Sequence, residues 1–123
     1  MNAGAPKIDW NELQFLSWGE FKQMTPSILG LEVTRLGKVI QSFSEDTEFH
    51  NSLVRARYSL EQFIACLSHA RKETVEDTCA GHLREAIMHA SFQSEGLDEA
   101  TRNTCRYILD RLNYVYKRIA LIY

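Results

Sequence analysis

Apolar residues recur along most of the 123-residue chain at alternating steps of four and three, which is the spacing of one face of an α-helix. No segment alternates with period two, and no Asn-Gly or Asp-Gly hairpin signal occurs. One such row lies in segment 98–123 and contains Thr101, Cys105, Ile108, Leu112, Val115, Ile119 and Ile122. The pattern therefore predicts an all-α fold.

Capping residues divide the chain into five predicted helices. The first begins at Asp9 and ends near Met24, and Thr25 followed by Pro26 starts the second, because Pro suits the first helical position. The second is expected to end near Phe43, and the third follows the polar stretch 44–47. The fourth is expected to run without a break from Thr74 to about Phe92, and the last begins at Asp98. Around 70–74 a turn is expected, with one long bent helix as the alternative.

These elements predict an antiparallel helical bundle of four long helices plus a short N-terminal helix, in a single domain over residues 1–123. Residues 1–8 are expected to be a frayed tail. The shared spacing predicts one contiguous core containing Leu36, Ile40, Leu53, Leu60, Phe63, Leu67, Ile108, Leu112 and Val115. Gly30, Thr34 and Gly37 form a lane of small residues that is expected to allow close helix packing.

Composition is that of an ordinary soluble domain, with 45% hydrophobic and 24% charged residues. No apolar run has the length of a membrane span and no secretory signal is visible, so we expect a cytoplasmic protein without a membrane partner. The net charge of −2 is unevenly distributed: residues 1–100 carry −6 and residues 101–123 carry +4. This asymmetry favours either attraction of an acidic partner or pairing between helices of the same chain.

The most suggestive metal-ligand pattern is a pair of Cys-x-x-His segments, Cys66 with His69 and Cys79 with His82. If the chain turns near residue 72, the two cysteines lie at one level and the histidines on opposite sides of it, so four zinc ligands converge poorly. No Glu-x-x-His segment for a di-iron site occurs. We therefore expect reduced thiols, no metal and no cofactor.

An Arg and a His separated by four residues, Arg84 and His89, lie on the fourth predicted helix. This spacing resembles the Arg-x(4 to 6)-His motif of HEPN-domain proteins, and the position one helix before the C-terminal helix is similar too. The resemblance implies a metal-independent ribonuclease or toxin-associated domain in which Arg84 and His89 of two protomers face each other across a dimer cleft. Glu85 stands where that family usually has Asn, Asp or His.

The last predicted helix has more apolar surface than one packing face needs. A second row, Tyr107, Tyr114 and Leu121, is flanked by Tyr116 and Tyr123, and Arg106, Arg111 and Arg118 lie near it. Tyrosines with an arginine rim are typical of protein interfaces, although the first predicted helix could instead cover the tyrosines. We therefore expect a non-enzymatic interaction protein of regulatory, adaptor or inhibitor type, which binds another protein or itself as a homodimer. Nucleic-acid binding through the same stripe is less favoured, because the chain as a whole is acidic.

Overall fold

The computed structural model describes residues 15–42, 47–91 and 98–120, which form five helices and, within those ranges, no strand. The helices are α1 (Trp18–Gln41), α2 (Glu48–Leu67), α3 (Val75–Thr78), α4 (Ala80–Ala90) and α5 (Glu99–Ala120). The prediction of an all-α helical bundle is confirmed. No helix in the described part of the chain is long and apolar enough to cross a membrane.

The four longer helices pack in a ring. Helix α2 packs against α1 and α4, and α5 packs against α4 and α1, so that each helix has two neighbours. The one-turn helix α3 contacts α4 and α5. All nine residues of the predicted core are buried in a single cluster in the middle of this ring, which confirms that prediction.

Helix α1 is one continuous helix through Pro26, so the predicted break at Thr25 and Pro26 is wrong. Its start is a capping box: the Ser17 hydroxyl accepts from the Glu20 amide at 3.2 Å, and the Glu20 carboxylate accepts from the Ser17 amide at 3.1 Å. The buried face continues across the proline from Phe21 to Ile28, and this packing outweighs the backbone hydrogen bond that Pro26 cannot donate.

The predicted short N-terminal helix is therefore not a separate helix in its later half, because residues 18–24 belong to α1. Its earlier half, which includes Asp9 and Trp10, and the predicted tail 1–8 lie outside the described residues. The same is true of Phe43, the predicted end of the second helix, whereas the described helix ends at Gln41.

The expected turn before Thr74 is confirmed, because α2 ends at Leu67 and the next helix begins at Val75. The predicted continuous fourth helix is wrong, since Cys79, with φ −115° and ψ −37°, separates α3 from α4. Thr74 makes no side-chain cap; its hydroxyl donates instead to the Arg71 carbonyl at 3.5 Å. At this break the Cys79 side chain is buried and belongs to the core cluster.

The lane of small residues on α1 does not mark a close approach of another backbone. A Cβ at Gly37 would lie 3.3 Å from the Arg57 guanidinium of α2, which is the end of a flexible side chain. A Cβ at Gly30 would meet no neighbouring atom within 4 Å. The packing expectation is therefore wrong for Gly30 and is not confirmed for Gly37.

Candidate interaction surface

The tyrosines of α5 differ in exposure. Helix α5 buries Ile108, Leu112 and Val115 in the core. Tyr114 and Tyr116 are half-buried and pack against the same core, whereas 41% of Tyr107 is exposed. Leu121 and Tyr123 lie outside the described residues. Tyr107 is therefore the tyrosine of α5 that offers most surface to a partner.

Two guanidinium groups stack on the exposed Tyr107 ring. The Arg111 Cζ lies 3.3 Å from the ring centroid and the Arg35 Cζ, on α1, lies 4.9 Å from it. Arg111 also donates through Nη2 to the Tyr107 hydroxyl. Cation–π stacking of this kind orders long side chains that would otherwise rotate freely.

A buried carboxylate, Glu32, pairs with both arginines. The Glu32 side chain is 0% exposed, and both its oxygens accept from Arg35 Nη1 at 2.5 Å. Arg111 Nε lies 3.5 Å from Glu32 Oε1. Burial raises the pKa of Glu32 above its usual value, and the positive charges of Arg35 and Arg111 oppose that shift. We call Glu32, Arg35, Tyr107 and Arg111 the Tyr107 cluster.

An open groove of about 290 Å³ adjoins the Tyr107 cluster at the α1–α5 seam. Arg35 belongs to both the cluster and the groove, and the remaining lining is formed by Lys38, Val39, Ser42, Ala100, Thr101 and Thr104. The nearby Asp98 carboxylate accepts from the Thr101 amide at 2.7 Å and thereby caps α5. The groove thus offers two cationic side chains and small polar groups to a ligand.

Arg118, expected at the rim of the interface, lies in the interior instead. It is buried, donates through Nη2 to the Leu16 carbonyl at 2.6 Å, and stacks over the Phe21 ring at 5.2 Å. Burial lowers the pKa of Arg118 from its usual value. Arg118 therefore contacts the segment just before α1 and is not a surface residue. Arg106 is exposed.

The structure does not bring Arg84 and His89 together within one chain. Five positions along a helix turn a side chain by roughly 140° and advance it by about 7.5 Å. Arg84 is exposed, while His89 is half-buried, with Nε2 3.4 Å from the Glu85 carboxylate. His89 thus faces the residue that departs from the HEPN pattern.

Cys66 and Cys79 do meet, with their sulfur atoms 2.7 Å apart, but His69 and His82 are exposed. Within the described ranges, no group of three or more His, Cys, Asp or Glu side chains is arranged to hold a metal ion. The expectation that the protein binds no metal stays a prediction.

Sequence reasoning named Tyr107 and Arg111 but missed Glu32 and Arg35. Both lie on α1 within an apolar row, and only the contact with Arg111 and Tyr107 of α5 distinguishes them from ordinary helix residues. A function for this surface has to be argued from its geometry and charge. Comparison of the chain with family models, with curated proteins and with solved structures finds no match in any of the three.

Proposed function

We propose that the protein is a non-enzymatic interaction protein that binds an acidic segment of a partner protein at the Tyr107 cluster and the adjoining groove. The observation that carries the proposal is the exposed Tyr107 ring that two guanidinium groups contact, both of which also pair with the buried Glu32 carboxylate. Such a protein would act by occupying or recruiting its partner, as a regulator, adaptor or inhibitor.

Charge supports an acidic partner. The cluster and groove together carry Arg35, Lys38 and Arg111, with Glu32 inside the cluster and Asp98 beside the groove as the opposing carboxylates. Guanidinium groups bind carboxylates through two parallel hydrogen bonds, which gives both attraction and orientation.

Preorganisation supports binding at this place on the surface. Side chains that are immobilised on binding cost affinity, and the loss is smaller where they are already ordered. Glu32 and Tyr107 order both arginines before any partner arrives. Tyr and Arg are also the residue types that most often dominate binding free energy in protein interfaces.

The test compares two tyrosine substitutions. Tyr107→Ser removes the ring that both arginines contact, while Tyr58→Ser makes the same change on α2, where the tyrosine is 64% exposed. Binding is measured by fluorescence anisotropy with three labelled peptides of equal length and equal apolar content, one acidic, one basic and one uncharged. We expect the acidic peptide to bind the parent protein more tightly than the other two peptides do. Tyr107→Ser should weaken binding of the acidic peptide about tenfold or more, and Tyr58→Ser should leave its affinity unchanged.

Two further measurements separate the alternatives. A short single-stranded oligonucleotide carries negative charge without carboxylates, and binding tighter than that of the acidic peptide would overturn the proposal of a protein partner. Sedimentation of the unliganded chain reports self-association. A dimer that Tyr107→Ser dissolves would identify a second copy as the occupant, while no preference among the three peptides would reject the acidic segment.

A further inference from the structure

Cys66 and Cys79 lie on elements that pack side by side. Cys66 is in the last turn of α2, and Cys79 is at the junction of α3 and α4. Their sulfur atoms are 2.7 Å apart. Even carbon atoms, which are smaller than sulfur, pack at about 3.5–4.0 Å when they are not bonded. The two sulfur atoms are therefore closer than in an ordinary packing contact.

The backbone break at Cys79 explains why the thiols meet. Where α3 ends, the Thr78 carbonyl accepts a hydrogen bond from the Cys66 thiol at 3.2 Å, and the Cys79 thiol donates to the Cys66 sulfur. The Thr78 hydroxyl lies 3.5 Å from the Cys79 sulfur. Both thiols are therefore oriented by their surroundings.

Access to the two thiols differs. Cys66 is partly exposed, whereas Cys79 is fully buried. Burial, assisted by the hydrogen bond with Cys66, raises the pKa of Cys79 to about 11. A reagent in solution therefore reaches Cys66 first, and the Cys79 sulfur is close enough to attack a mixed disulfide formed on Cys66.

We propose that Cys66 and Cys79 are a modification site that closes to a reversible intramolecular disulfide by exchange with a low-molecular-weight disulfide such as oxidised glutathione. The two sulfur atoms need to approach by roughly 0.7 Å to reach a bond length of about 2.05 Å. The site is independent of the Tyr107 cluster, which lies on α1 and α5.

The exchange proceeds in two displacements. The Cys66 thiolate attacks one sulfur of the small disulfide, a mixed disulfide forms on Cys66, and the first glutathione thiolate leaves and takes up a proton. The Cys79 thiol then gives up its proton as it attacks the Cys66 sulfur, and the second glutathione leaves as a thiolate and takes up that proton. One protein dithiol and one small disulfide thus give one protein disulfide and two small thiols, so the protein is oxidised by two electrons and the small disulfide is reduced.

The bond would join the end of α2 to the start of α4. It would close residues 66–79, which include the turn and α3, into a covalent loop. Closing a loop of this length restricts the unfolded chain, and we expect the melting temperature to rise on the order of 10 °C. A reductant such as dithiothreitol should reverse the rise completely.

The experiment uses the full chain with Cys105→Ser, which removes the third thiol and leaves the pair intact. After incubation with oxidised glutathione, remaining thiols are alkylated and the chain is digested with trypsin. Cleavage after Arg57, Arg71, Lys72 and Arg84 places the cysteines on separate peptides, 58–71 and 73–84. We expect these two peptides to be joined, and the intact mass to fall by two hydrogen atoms.

Single variants in the same background test the order of attack. Adding Cys79→Ser should leave a stable glutathione adduct on Cys66, while adding Cys66→Ser should leave Cys79 slow to react. Joined peptides with the higher melting temperature support the proposal. A glutathione adduct that persists on Cys66 with Cys79 present, or a disulfide only between two chains, in a sample whose circular dichroism matches the untreated protein, would overturn it.

Discussion

The Glu32 side chain is fully buried, and its carboxylate contacts the guanidinium groups of Arg35 on α1 and Arg111 on α5. Removing a charge from water is costly, and a buried ion pair often stabilises a fold no more than apolar residues of the same volume. The raised pKa of Glu32 indicates that the loss of hydration exceeds the attraction of the arginines. We infer that Glu32 contributes mainly by fixing where Arg35 and Arg111 point.

Glu32 should make the stability of the protein depend on pH. Because its pKa is higher in the folded chain than the ordinary 4.5, its contribution to stability is full below that value and is lost as pH rises through the folded pKa. Glu32→Gln removes this titration. We therefore expect the free energy of unfolding of the parent, relative to Glu32→Gln, to fall as pH rises from 4 to 7 in urea titrations.

The matched control for this prediction is Glu61→Gln, which neutralises an exposed carboxylate paired with Arg57 on α2. Its effect at neutral pH should stay within about 0.5 kcal/mol, as for most surface ion pairs. A parent protein that gains stability over Glu32→Gln as pH rises would show that attraction by the arginines outweighs burial.

Among the elements, α1 shows what sequence patterns can and cannot predict. The spacing that placed Leu36 and Ile40 in the predicted core correctly indicated the buried face of α1. The pair Thr25 and Pro26 gave the same signal as a helix start, and only the packing of Phe21 and Ile28 against the rest of the bundle makes the helix continuous.

The break between α3 and α4 escaped prediction for a different reason. No Gly or Pro stands at Cys79, and the apolar spacing from Val75 to Leu83 fits one helix as well as two. The Tyr107 cluster likewise depends on contacts between α1 and α5 that no local pattern encodes. Sequence periodicity predicted the class of fold and its core, whereas the two candidate sites arise from contacts between elements.

Helix α1 also contains a position where its own stability can be raised. Gly30 lies inside the helix with no neighbouring atom where a Cβ would be placed, so Gly30→Ala should stabilise the protein by about 1 kcal/mol. Chemical denaturation measures the change. Gly37→Ala is the control, because its Cβ would displace the Arg57 side chain and the gain should be smaller. A larger gain at Gly37 than at Gly30 would contradict this account of α1.

At the scale of the whole molecule, stability should depend on the core that all four longer helices share. Leu60 of α2 and Leu112 of α5 are fully buried in it. Leu60→Ala and Leu112→Ala should each lower the free energy of unfolding by about 2–5 kcal/mol, since each leaves a cavity that neighbours fill only in part. Val54→Ala removes an exposed apolar side chain from α2 and should cost under about 1 kcal/mol. Losses below about 1 kcal/mol in both leucine variants would show that the ring has no common core.

The hydrogen bond from Arg118 to the Leu16 carbonyl joins residues 102 positions apart in the chain. On the ribosome, α1 and α4 emerge before α5, and their sides that face α5 stay uncovered until its arrival. Contacts between distant parts of a chain form slowly, and uncovered apolar surface favours aggregation in that interval. The surface around Tyr107 is built from both α1 and α5, so it does not exist until α5 has been made and packs against α1. A partner that recognises it would therefore bind only chains in which these two helices are already packed together.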